Sequence, residues 1–489
     1  MPEAMRMSRV DTAWLRMDND VNLMMIVGVW LLTPAIALAA LRERVTDKLL
    51  KYDRFRQLAV PDAMGATWVD DGAFDIELHV VEARLAPDPL GKAGDAAGAA
   101  RRSLQRLCGD LAATPLDPSR PLWQFHFIAD YEGGSAIVAR IHHCIGDGIA
   151  LISVMLSITD GGSDPPQRKR RTRVDPQDSD WLSDAVIKPL TDLTTKAIGM
   201  YGGGISKSIE LLSDPQASLL GSFEGSINVA RTGFKVLNDV AALALMPDDS
   251  ATLLKGRPDR RPGGRKVVAW SEPLALDPVK TVSKGLGCTI NDLLLSCVAG
   301  AIGGWLQSQG EDPAGREIRA MVPVNLRPLD KAWQLGNRFG LAPLVLPVGI
   351  SNPIERVQAV RQRMAQLKGS YQPLLAFAVL AVSGLFVKPV QDAVLGLFAK
   401  KATAVMTNVP GPAVPLRFCG STLRQTMFWV PASGDIGVGV SILSYGGFVQ
   451  FGLITDDVLC ADPQAIIDRF EPEFDKLLNL SLMLPWAGE

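Results

Sequence analysis

The chain is poor in the residue types from which metal centres and disulfide frameworks are built. Its 489 residues include four histidines and six cysteines, and the cysteines lack the paired spacing of a zinc site. We therefore expect no metal site and no disulfides, with reduced thiols in a cytoplasmic setting as the simple expectation. The cysteines are Cys108, Cys144, Cys288, Cys297, Cys419 and Cys460.

An excess of charge of one sign is absent as well. The 50 basic and 52 acidic residues nearly cancel, so the net charge is −2. A chain without a basic balance lacks the electrostatic attraction that drives general nucleic-acid binding. We expect no nucleic-acid partner, and the sequence leaves the oligomeric state open.

Apolar runs long enough to cross a membrane are also missing. The most apolar stretch, residues 21–41, is interrupted by Thr33-Pro34, a pattern typical of a helix N-cap followed by a first-turn proline. It predicts a strand over residues 22–32 and a helix that begins near Ala35. A second apolar stretch, residues 373–387, is shorter than the ~20 residues of a spanning helix. Neither is expected to span a bilayer.

The amino terminus has no basic region followed by an apolar core and a cleavage site, so no secretion signal is expected. Hydrophobic residues nevertheless make up 47% of the chain, which is high for a protein without lipid contact. Exposed apolar surface commonly marks an interaction site. We expect peripheral association with the inner membrane or with lipid inclusions.

Two of the four histidines stand side by side in residues 142–148, His-His-Cys-Ile-Gly-Asp-Gly. Histidine takes and gives protons near neutral pH because its unperturbed pKa is ~6.5. General base chemistry is therefore the first hypothesis. The preceding residues 136–141 are short and rich in β-branched side chains, which predicts a buried strand. The two glycines predict a turn with positive φ or close backbone approach, before a helix from Ile149.

Alternation along this strand separates the two histidines. His143 shares a face with Ile141, whereas His142 shares the other face with Arg140. Both imidazoles cannot enter one cavity unless the strand ends between them, so one is expected to react and the other to support it. The structural alternative is a buried histidine that is merely hydrogen-bonded. Cys144 as a nucleophile is weaker, because such a cysteine is usually a small buried apolar residue, and no Gly-x-Ser-x-Gly motif occurs.

Residues 142–148 match His-His-x-x-x-Asp-Gly, the signature of the CoA-dependent acyltransferase superfamily, which includes chloramphenicol acetyltransferase-like enzymes and peptide-synthetase condensation domains. Further short motifs occur in a fixed order over nearly the whole chain. They are the opening residues 7–15, Pro-Leu-Trp at 121–123, Asn-Asp at 291–292, residues 322–327 and Asn-Val-Pro-Gly-Pro at 408–412. With these motifs the chain resembles the bacterial wax ester synthase/diacylglycerol acyltransferases.

The resemblance implies a two-lobed α/β fold like that of chloramphenicol acetyltransferase, with a mixed sheet and helices in each lobe and an active-site tunnel at the lobe interface. The length also exceeds the size at which one core keeps growing. We expect an N-terminal lobe over residues 1–160, a basic linker and helical crossover over 161–264, and a C-terminal lobe over 265–489. The basic run at 168–173 predicts an exposed linker; attraction to anionic headgroups is the favoured alternative, and CoA phosphates are the other.

The resemblance also implies the reaction. A long-chain acyl group would move from acyl-CoA to a fatty alcohol or to diacylglycerol without a covalent acyl-enzyme, with His143 as general base and His142 in support. Asn291 is the leading oxyanion donor and Asn325 the second. Capping of the next helix is the structural alternative for one residue of the pair 291–292. Acyl-CoA is a substrate, so no cofactor is expected.

The remaining motif residues are assigned to bracing and binding. In the superfamily the aspartate of the signature pairs with an arginine, which here implies a structural brace between Asp147 and Arg327. Gly148, Asn325 and Asn408 are candidates for substrate binding. A loop that only sets geometry is the alternative for the segment at Asn408.

Two long apolar chains require a hydrophobic tunnel whose shape sets specificity. Residues 374–386 are a candidate wall, with an ordinary buried helix as the alternative, and we expect broad chain-length tolerance. Two other functions stay open: a condensation-domain-like enzyme with another thioester or acceptor, and a non-catalytic lipid-droplet-binding protein. The sequence does not decide between wax ester and triacylglycerol as product.

Overall fold

The computed structural model describes residues 5–62, 65–89, 95–163, 246–327, 334–368, 399–432 and 436–483, with the single residues 376, 391 and 396. Three sequence predictions fall wholly or largely outside the described residues. These are the basic run at 168–173, most of the helical crossover in 161–264, and the tunnel wall at 374–386 apart from Ala376.

Strands and helices are mixed along the chain, in agreement with an α/β fold. The strands are β1 (Met5–Arg6), β2 (Met25–Thr33), β3 (Gln57–Asp62), β4 (Gly65–Asp70), β5 (Val80–Glu82), β6 (Trp123–Tyr131), β7 (Gly134–His142), β8 (Lys266–Trp270), β9 (Leu274–Ala275), β10 (Ile318–Asn325), β11 (Phe339–Leu346), β12 (Ala404–Pro410), β13 (Arg417–Phe418), β14 (Ser421–Trp429), β15 (Val438–Tyr445) and β16 (Phe448–Asp456). The helices bounded within the described residues are α1 (Arg9–Arg16), α2 (Leu38–Lys48), α3 (Ile76–His79), α4 (Ala96–Ala112), α5 (Gly148–Ser157), α6 (Leu276–Gly285), α7 (Ile290–Ser308), α8 (Pro353–Lys368), α9 (Gln464–Ile467) and α10 (Phe470–Met483).

The strand that leads into the histidine pair lies inside a six-stranded sheet. Its strand order is β13-β14-β2-β7-β6-β5, so β7 has a neighbour on each side. Successive side chains of a strand point to opposite faces, and in this sheet apolar residues occupy both faces. Val27 and Val29 of β2 join a buried cluster with Leu104 of α4, whereas Ile26 joins one with Trp14 of α1. Because both faces are covered, the register of β7 is fixed, and with it the position of the residues that follow.

A second sheet is formed mostly by the later part of the chain. Its order is β11-β10-β12-β15-β16-β8, and β9 also pairs with β16. Helix α7 is apolar almost all round and contributes Leu294 and Val298 to the core, together with Val357 of α8 and Phe474 of α10. A helix that is apolar on every side belongs in a protein interior, which explains its composition.

A segment from the later part of the chain completes the six-stranded sheet. β14 pairs antiparallel with β2, and β13 pairs with β14, so residues 417–429 extend the sheet that contains β7. The C-terminal lobe predicted over 265–489 therefore does not keep this segment in its own sheet. Local sequence patterns contain no information about a partner almost 400 residues away. The predicted domain bounds themselves stay predictions.

The prediction of an N-cap at Thr33 is wrong. Strand β2 continues through Thr33, which pairs with Thr422 of β14, and the Thr33–Pro34 peptide is cis. Helix α2 begins three residues later than expected, at Leu38 with Ala37 as its N-cap. The reason is that a partner strand holds Thr33 in the sheet ladder, which local capping preferences do not reveal.

Two further sequence expectations concern membranes and thiols. Of the helices in the described residues, none alone combines the length and apolarity needed to cross a bilayer; α6 and α7 do so only as a pair, bent by 99°. All six cysteines are free thiols.

Candidate active site

The histidine pair lies where β7 ends. The strand finishes at His142, and the backbone N–H of His143 donates to the carbonyl of Met24, the residue before β2, at 2.7 Å. The side chain of His142 accepts a hydrogen bond at Nδ1 from the N–H of Cys144, at 3.1 Å. Its ring proton is therefore at Nε2, which lies 3.2 Å from Oδ1 of Asp18. His142 thus holds the turn through the N–H of Cys144. Its ring nitrogens contact Cys144 and Asp18, whereas the partner of His143 is a different residue.

His143 is held in one tautomer by Asn337. Nδ1 of His143 lies 2.8 Å from Oδ1 of Asn337. The orientation of that amide is fixed, because its Nδ2 donates to Oδ1 of Asp11 at 2.8 Å and to the carbonyl of His143 at 2.7 Å. An amide oxygen only accepts, so Nδ1 must carry the ring proton. Nε2 is left with a free lone pair, which is the form a general base needs.

The surroundings of His143 keep the imidazole neutral. The indole of Trp14 stacks on it with ring centres 4.1 Å apart and planes 11° apart, and Phe339 lies 5.6 Å away. The side chain is buried, and burial lowers the pKa of His143 to about 4, since desolvation penalises the charged ring. At neutral pH the residue can accept a proton without first losing one.

Asp11 joins this site to the amino-terminal helix. Its Oδ2 accepts from Arg54 Nη2 at 3.0 Å, while Oδ1 accepts from the backbone and side chain of Asn337. Arg54 also donates to the carbonyl of Ile145 at 2.8 Å, and its guanidinium lies over the ring of Trp68. The turn after β7 is therefore fixed by residues from the first 70 positions as well as by its own glycines.

The predicted contact between Asp147 and Arg327 is present. Arg327 Nη2 donates to Asp147 Oδ2 at 2.9 Å, and both side chains are buried. Asp147 also caps α5, because Oδ1 accepts from the N–H of Ala150 at 2.9 Å, and Oδ2 accepts from the N–H of Arg338 at the same distance. Both carboxylate oxygens are engaged away from the imidazole of His143. This geometry fits a brace between the two halves of the chain.

The two glycines of the signature differ in surroundings. Gly146 forms a bridge with Gly336, and a Cβ at Gly146 would lie 3.3 Å from Leu335, so the chains approach closely there. Gly148 begins α5, and a Cβ there would meet open space. The sequence also allowed a positive φ at these two glycines, but among these residues it is Gly336 that has a positive φ. Gly148 thus leaves room for a ligand.

Asn291 and Asn408 are in contact. Asn408 Nδ2 donates to Asn291 Oδ1 at 2.6 Å, which brings the Asn-Asp motif to the start of the Asn-Val-Pro-Gly-Pro turn. Helix capping falls to other residues: Thr289 is the N-cap of α7, and Asp292 completes a capping box with it. Asn291 is therefore released from the capping role that the sequence left open.

Asn325 makes local hydrogen bonds. Its Oδ1 accepts from the N–H of Arg327 at 3.0 Å, and its Nδ2 donates to the carbonyl of Arg327 at 2.9 Å. The amide shapes the turn that presents the Arg327 guanidinium to Asp147. Substrate binding by Asn325 stays a prediction.

An apolar cavity opens beside the signature segment, over the face of β14, β2 and β7 and under α5. The empty space between its lining atoms is about 850 Å³, part of which is open solvent. Its lining is almost wholly hydrophobic and includes Gly148. The other lining residues are Ile26, Gly28, Trp30, Ala139, Ile141, Leu151, Ile152, Met155, Leu156, Gly411, Pro412, Leu416, Leu423, Thr426, Met427, Phe428, Leu443 and Tyr445. The signature, β2 and the turn after Asn408 therefore share one cavity.

Within the described ranges, no three side chains of His, Cys, Asp or Glu converge in a way that could hold a metal ion. The arrangement at His143 instead combines a neutral base, an oriented amide and an apolar cavity. This arrangement can support proton transfer next to an apolar cavity.

Several residues that shape the site were missed by the sequence reasoning. Asp11 and Trp14 lie in the opening motif, which was matched as a whole without roles for its members. Asp18 follows it, and Asn337 lies between Gly336 and Arg338 with no flanking pattern. The opening motif was a usable signal for the first two, because a polar and an aromatic residue three positions apart share a helix face. Nothing local distinguishes Asn337.

Two family models together match most of the chain. The wax ester synthase/diacylglycerol acyltransferase catalytic domain matches residues 7–294, and the WS/DGAT C-terminal domain matches residues 335–478. A probable diacylglycerol O-acyltransferase, tgs1 of Mycobacterium tuberculosis, is 26% identical over 487 residues, which cover 97% of this chain and 96% of the relative. Wax ester synthase/diacylglycerol acyltransferase 7 of Arabidopsis thaliana is 24% identical and covers 92% of both chains.

Solved structures agree in fold. The wax ester synthase/diacylglycerol acyltransferase of Marinobacter aquaeolei superposes with a TM-score of 0.63 at 18% identity, covering 97% of this chain and 100% of that one. The starter condensation domain of rhizomide synthetase gives 0.53 at 12% identity, covering 98% and 94%. The predicted two-lobed acyltransferase fold is confirmed, and neither alternative function is favoured. The chain belongs to the wax ester synthase/diacylglycerol acyltransferase family.

Proposed function

We propose that this acyltransferase moves a long-chain acyl group directly from acyl-CoA to a hydroxyl group, with His143 as general base. Nε2 of His143 takes the hydroxyl proton while that oxygen forms a bond to the thioester carbonyl carbon. The tetrahedral intermediate then collapses, the carbon–sulfur bond breaks, and the CoA sulfur takes the proton back from His143. The observation that carries this proposal is the neutral His143, fixed by Asn337 with Nε2 free, next to an apolar cavity.

The negative charge on the intermediate needs a hydrogen-bond donor, and Asn291 is our candidate. Its amide oxygen is already occupied by Asn408, so its Nδ2 remains for an oxyanion. In this proposal Asn408 orients Asn291, and Gly148 leaves space for the substrate beside the reacting atoms. His142 supports by holding the Cys144 N–H and the turn. No cofactor takes part, because acyl-CoA is itself a substrate.

The acceptor we propose is a fatty alcohol or diacylglycerol, whose apolar chains suit the lining of the cavity. Such substrates are sparingly soluble in water, so we also propose that the protein works in the cytoplasm at the surface of a membrane or lipid inclusion. Support comes from the loop between β12 and β13. It contributes Gly411, Pro412 and Leu416 to the cavity and carries Val414 with 69% of its surface exposed. A loop that carries both cavity-lining residues and an exposed apolar residue suits contact with lipid in this proposal.

The test is acceptor-dependent release of CoA from hexadecanoyl-CoA. The purified chain is incubated with vesicles of anionic phospholipid that contain either 1-hexadecanol or dioleoylglycerol, and free thiol and ester product are measured. We expect thiol release that requires an acceptor and equals the ester formed, with the protein sedimenting with the vesicles. Absence of acceptor-dependent release with either acceptor contradicts the proposed reaction, whereas activity without sedimentation contradicts only the surface association.

The pH dependence of kcat/KM should report the depressed pKa of His143. Because protonated imidazole cannot accept a proton, activity falls as the pH drops through the folded-state pKa of about 4, not through 6.5. We therefore expect a plateau that extends below pH 6 and an acid limb near pH 4. Between pH 6.5 and about pH 4 the His143 imidazole is protonated in the unfolded chain but not in the folded chain, so the free energy of unfolding also falls with falling pH. Thermal unfolding at each pH separates the two effects, and an acid limb at 6.5 in folded enzyme contradicts the assignment.

A further inference from the structure

The apolar cavity has a hollow in its floor, created by two small residues that face each other. Gly28 of β2 pairs with Ala139 of β7. Across the same row of the sheet, Phe428 of β14 flanks Gly28, and Phe125 of β6 flanks Ala139. Since side chains of paired residues point to the same face, two nearly empty positions lie between two aromatic ones.

Large side chains also bound this hollow along the strands. The pair Ile26–Ile141 lies on the side of His143, and the pair Trp30–Ile137 lies on the far side. Ala139 is the single residue of β7 that is not fully buried, as expected for a side chain that faces a cavity. The hollow is thus a recess in the sheet face that larger side chains bound on four sides.

The backbone does not require glycine at position 28. Its φ is not in the left-handed region, and a Cβ there would lie 3.6 Å from the Met427 carbonyl oxygen and 3.7 Å from Phe428 Cβ, which is ordinary contact. Glycine inside a strand weakens it relative to alanine. Neither the backbone conformation nor a steric clash with a Cβ accounts for Gly28, whereas the cavity space above it does.

The position of the hollow relates to chain length. Ala139 is four residues before His143, and with a strand rise of about 3.3 Å per residue the two are roughly 13 Å apart. An extended alkyl chain advances about 1.3 Å per carbon, given a C–C bond of ~1.5 Å. A chain that reacts at His143 therefore reaches the hollow after roughly ten carbons.

We propose that Gly28 and Ala139 set the length of the hydrocarbon chain that the enzyme accepts, by leaving the recess that receives the chain beyond about its tenth carbon. The inference rests on the proposed function and specifies one of its binding sites. A saturated chain of either substrate fits this chemistry, and the test below distinguishes the acyl chain from the alcohol chain.

The test compares wild type with Ala139→Leu, Ala139→Val and Gly28→Ala. Ala139→Ser is the matched control, because it changes polarity at the same position with little added volume. Donors from octanoyl-CoA to hexadecanoyl-CoA are assayed with 1-hexadecanol, and alcohols from octanol to hexadecanol are assayed with hexadecanoyl-CoA. Thermal unfolding confirms that each variant is folded.

In Ala139→Leu we expect the ratio of kcat/KM for the 16-carbon to the 8-carbon substrate to fall by about tenfold or more in one of the two series. Ala139→Val and Gly28→Ala should shift it less in the same direction, and Ala139→Ser should shift it less than Ala139→Leu. The series that shifts identifies the chain in the recess.

An unchanged ratio in both series, or an equal loss at all lengths in folded protein, overturns the inference while leaving the reaction established. If the wild type shows no acceptor-dependent thiol release, the proposed function fails. Equilibrium binding of labelled hexadecanoic and octanoic acid then still decides the recess, because it needs no turnover. Ala139→Leu must weaken the longer acid selectively for the inference to stand.

Discussion

Replacing His143 by alanine lowers acceptor-dependent release of CoA by an expected 10²- to 10⁴-fold, which is about the range contributed by a general base. The loss follows because Nε2 of His143 is the nitrogen available to take the hydroxyl proton, while the neighbouring ring of His142 is engaged with Cys144 and Asp18. The measurement is the initial rate of thiol release from hexadecanoyl-CoA with 1-hexadecanol. The ratio of this rate to that of folded wild type at the same protein concentration gives the fold decrease.

Two further variants make this result specific. His143→Asn keeps an amide N–H that can donate to Asn337 but has no basic nitrogen, so it should lose as much activity as alanine while remaining well folded. His126→Gln changes another histidine of the same sheet and should retain most of the activity. A loss of less than about tenfold in both His143 variants contradicts general base catalysis by this residue.

Asn291→Ala offers a contrast between base and oxyanion donor. Loss of one preorganised donor costs about 10²- to 10³-fold in kcat. Because Asn291 does not touch His143 in the described contacts, the acid limb of the pH profile should stay near the wild-type position. A shifted acid limb without a change in kcat indicates that Asn291 acts on the imidazole and not on the intermediate.

The reacting histidine could be predicted because its environment is encoded locally. The β-branched stretch before it fixes a strand, and alternation along that strand puts Ile137 and Ile141 in one cluster and Val138 in the other. The turn and the helix start at Gly148 follow from short-range preferences. The period of a strand put His142 and His143 on opposite faces, and the family resemblance then indicated His143 as the base.

Asn337 could not be predicted in this way. It meets His143 across 194 positions and meets Asp11 across 326, so its function depends on how distant segments come together. The pairing of β14 with β2 also depends on distant segments coming together, and so does the end of β2 at Thr33. Periodicity identifies which residues face a core but not which segments share it.

The second large effect concerns stability. Asp147→Ala should destabilise the protein by about 3–5 kcal/mol, because it leaves the buried guanidinium of Arg327 without its carboxylate. Loss of the N-cap of α5, worth about 1 kcal/mol, adds to this. Urea or thermal unfolding measures the change. As a control, Glu77→Gln interrupts the exposed pair with Arg42 and should cost less than about 1 kcal/mol.

The pair is not symmetric, and this gives a sharper test. In Arg327→Met, Asp147 keeps two backbone donors, the N–H groups of Ala150 and Arg338, and the favourable N-terminus of α5. In Asp147→Ala, the guanidinium of Arg327 keeps the Gly336 carbonyl as an acceptor but loses the carboxylate that it contacts through both Nη atoms. Arg327→Met should therefore destabilise less than Asp147→Ala. The loss of stability in the double variant should be smaller than the sum of the two single losses, since both charges of the buried pair are then removed. Additive losses indicate that the two side chains are not energetically coupled, and Asp147 would then act mainly as the cap of α5.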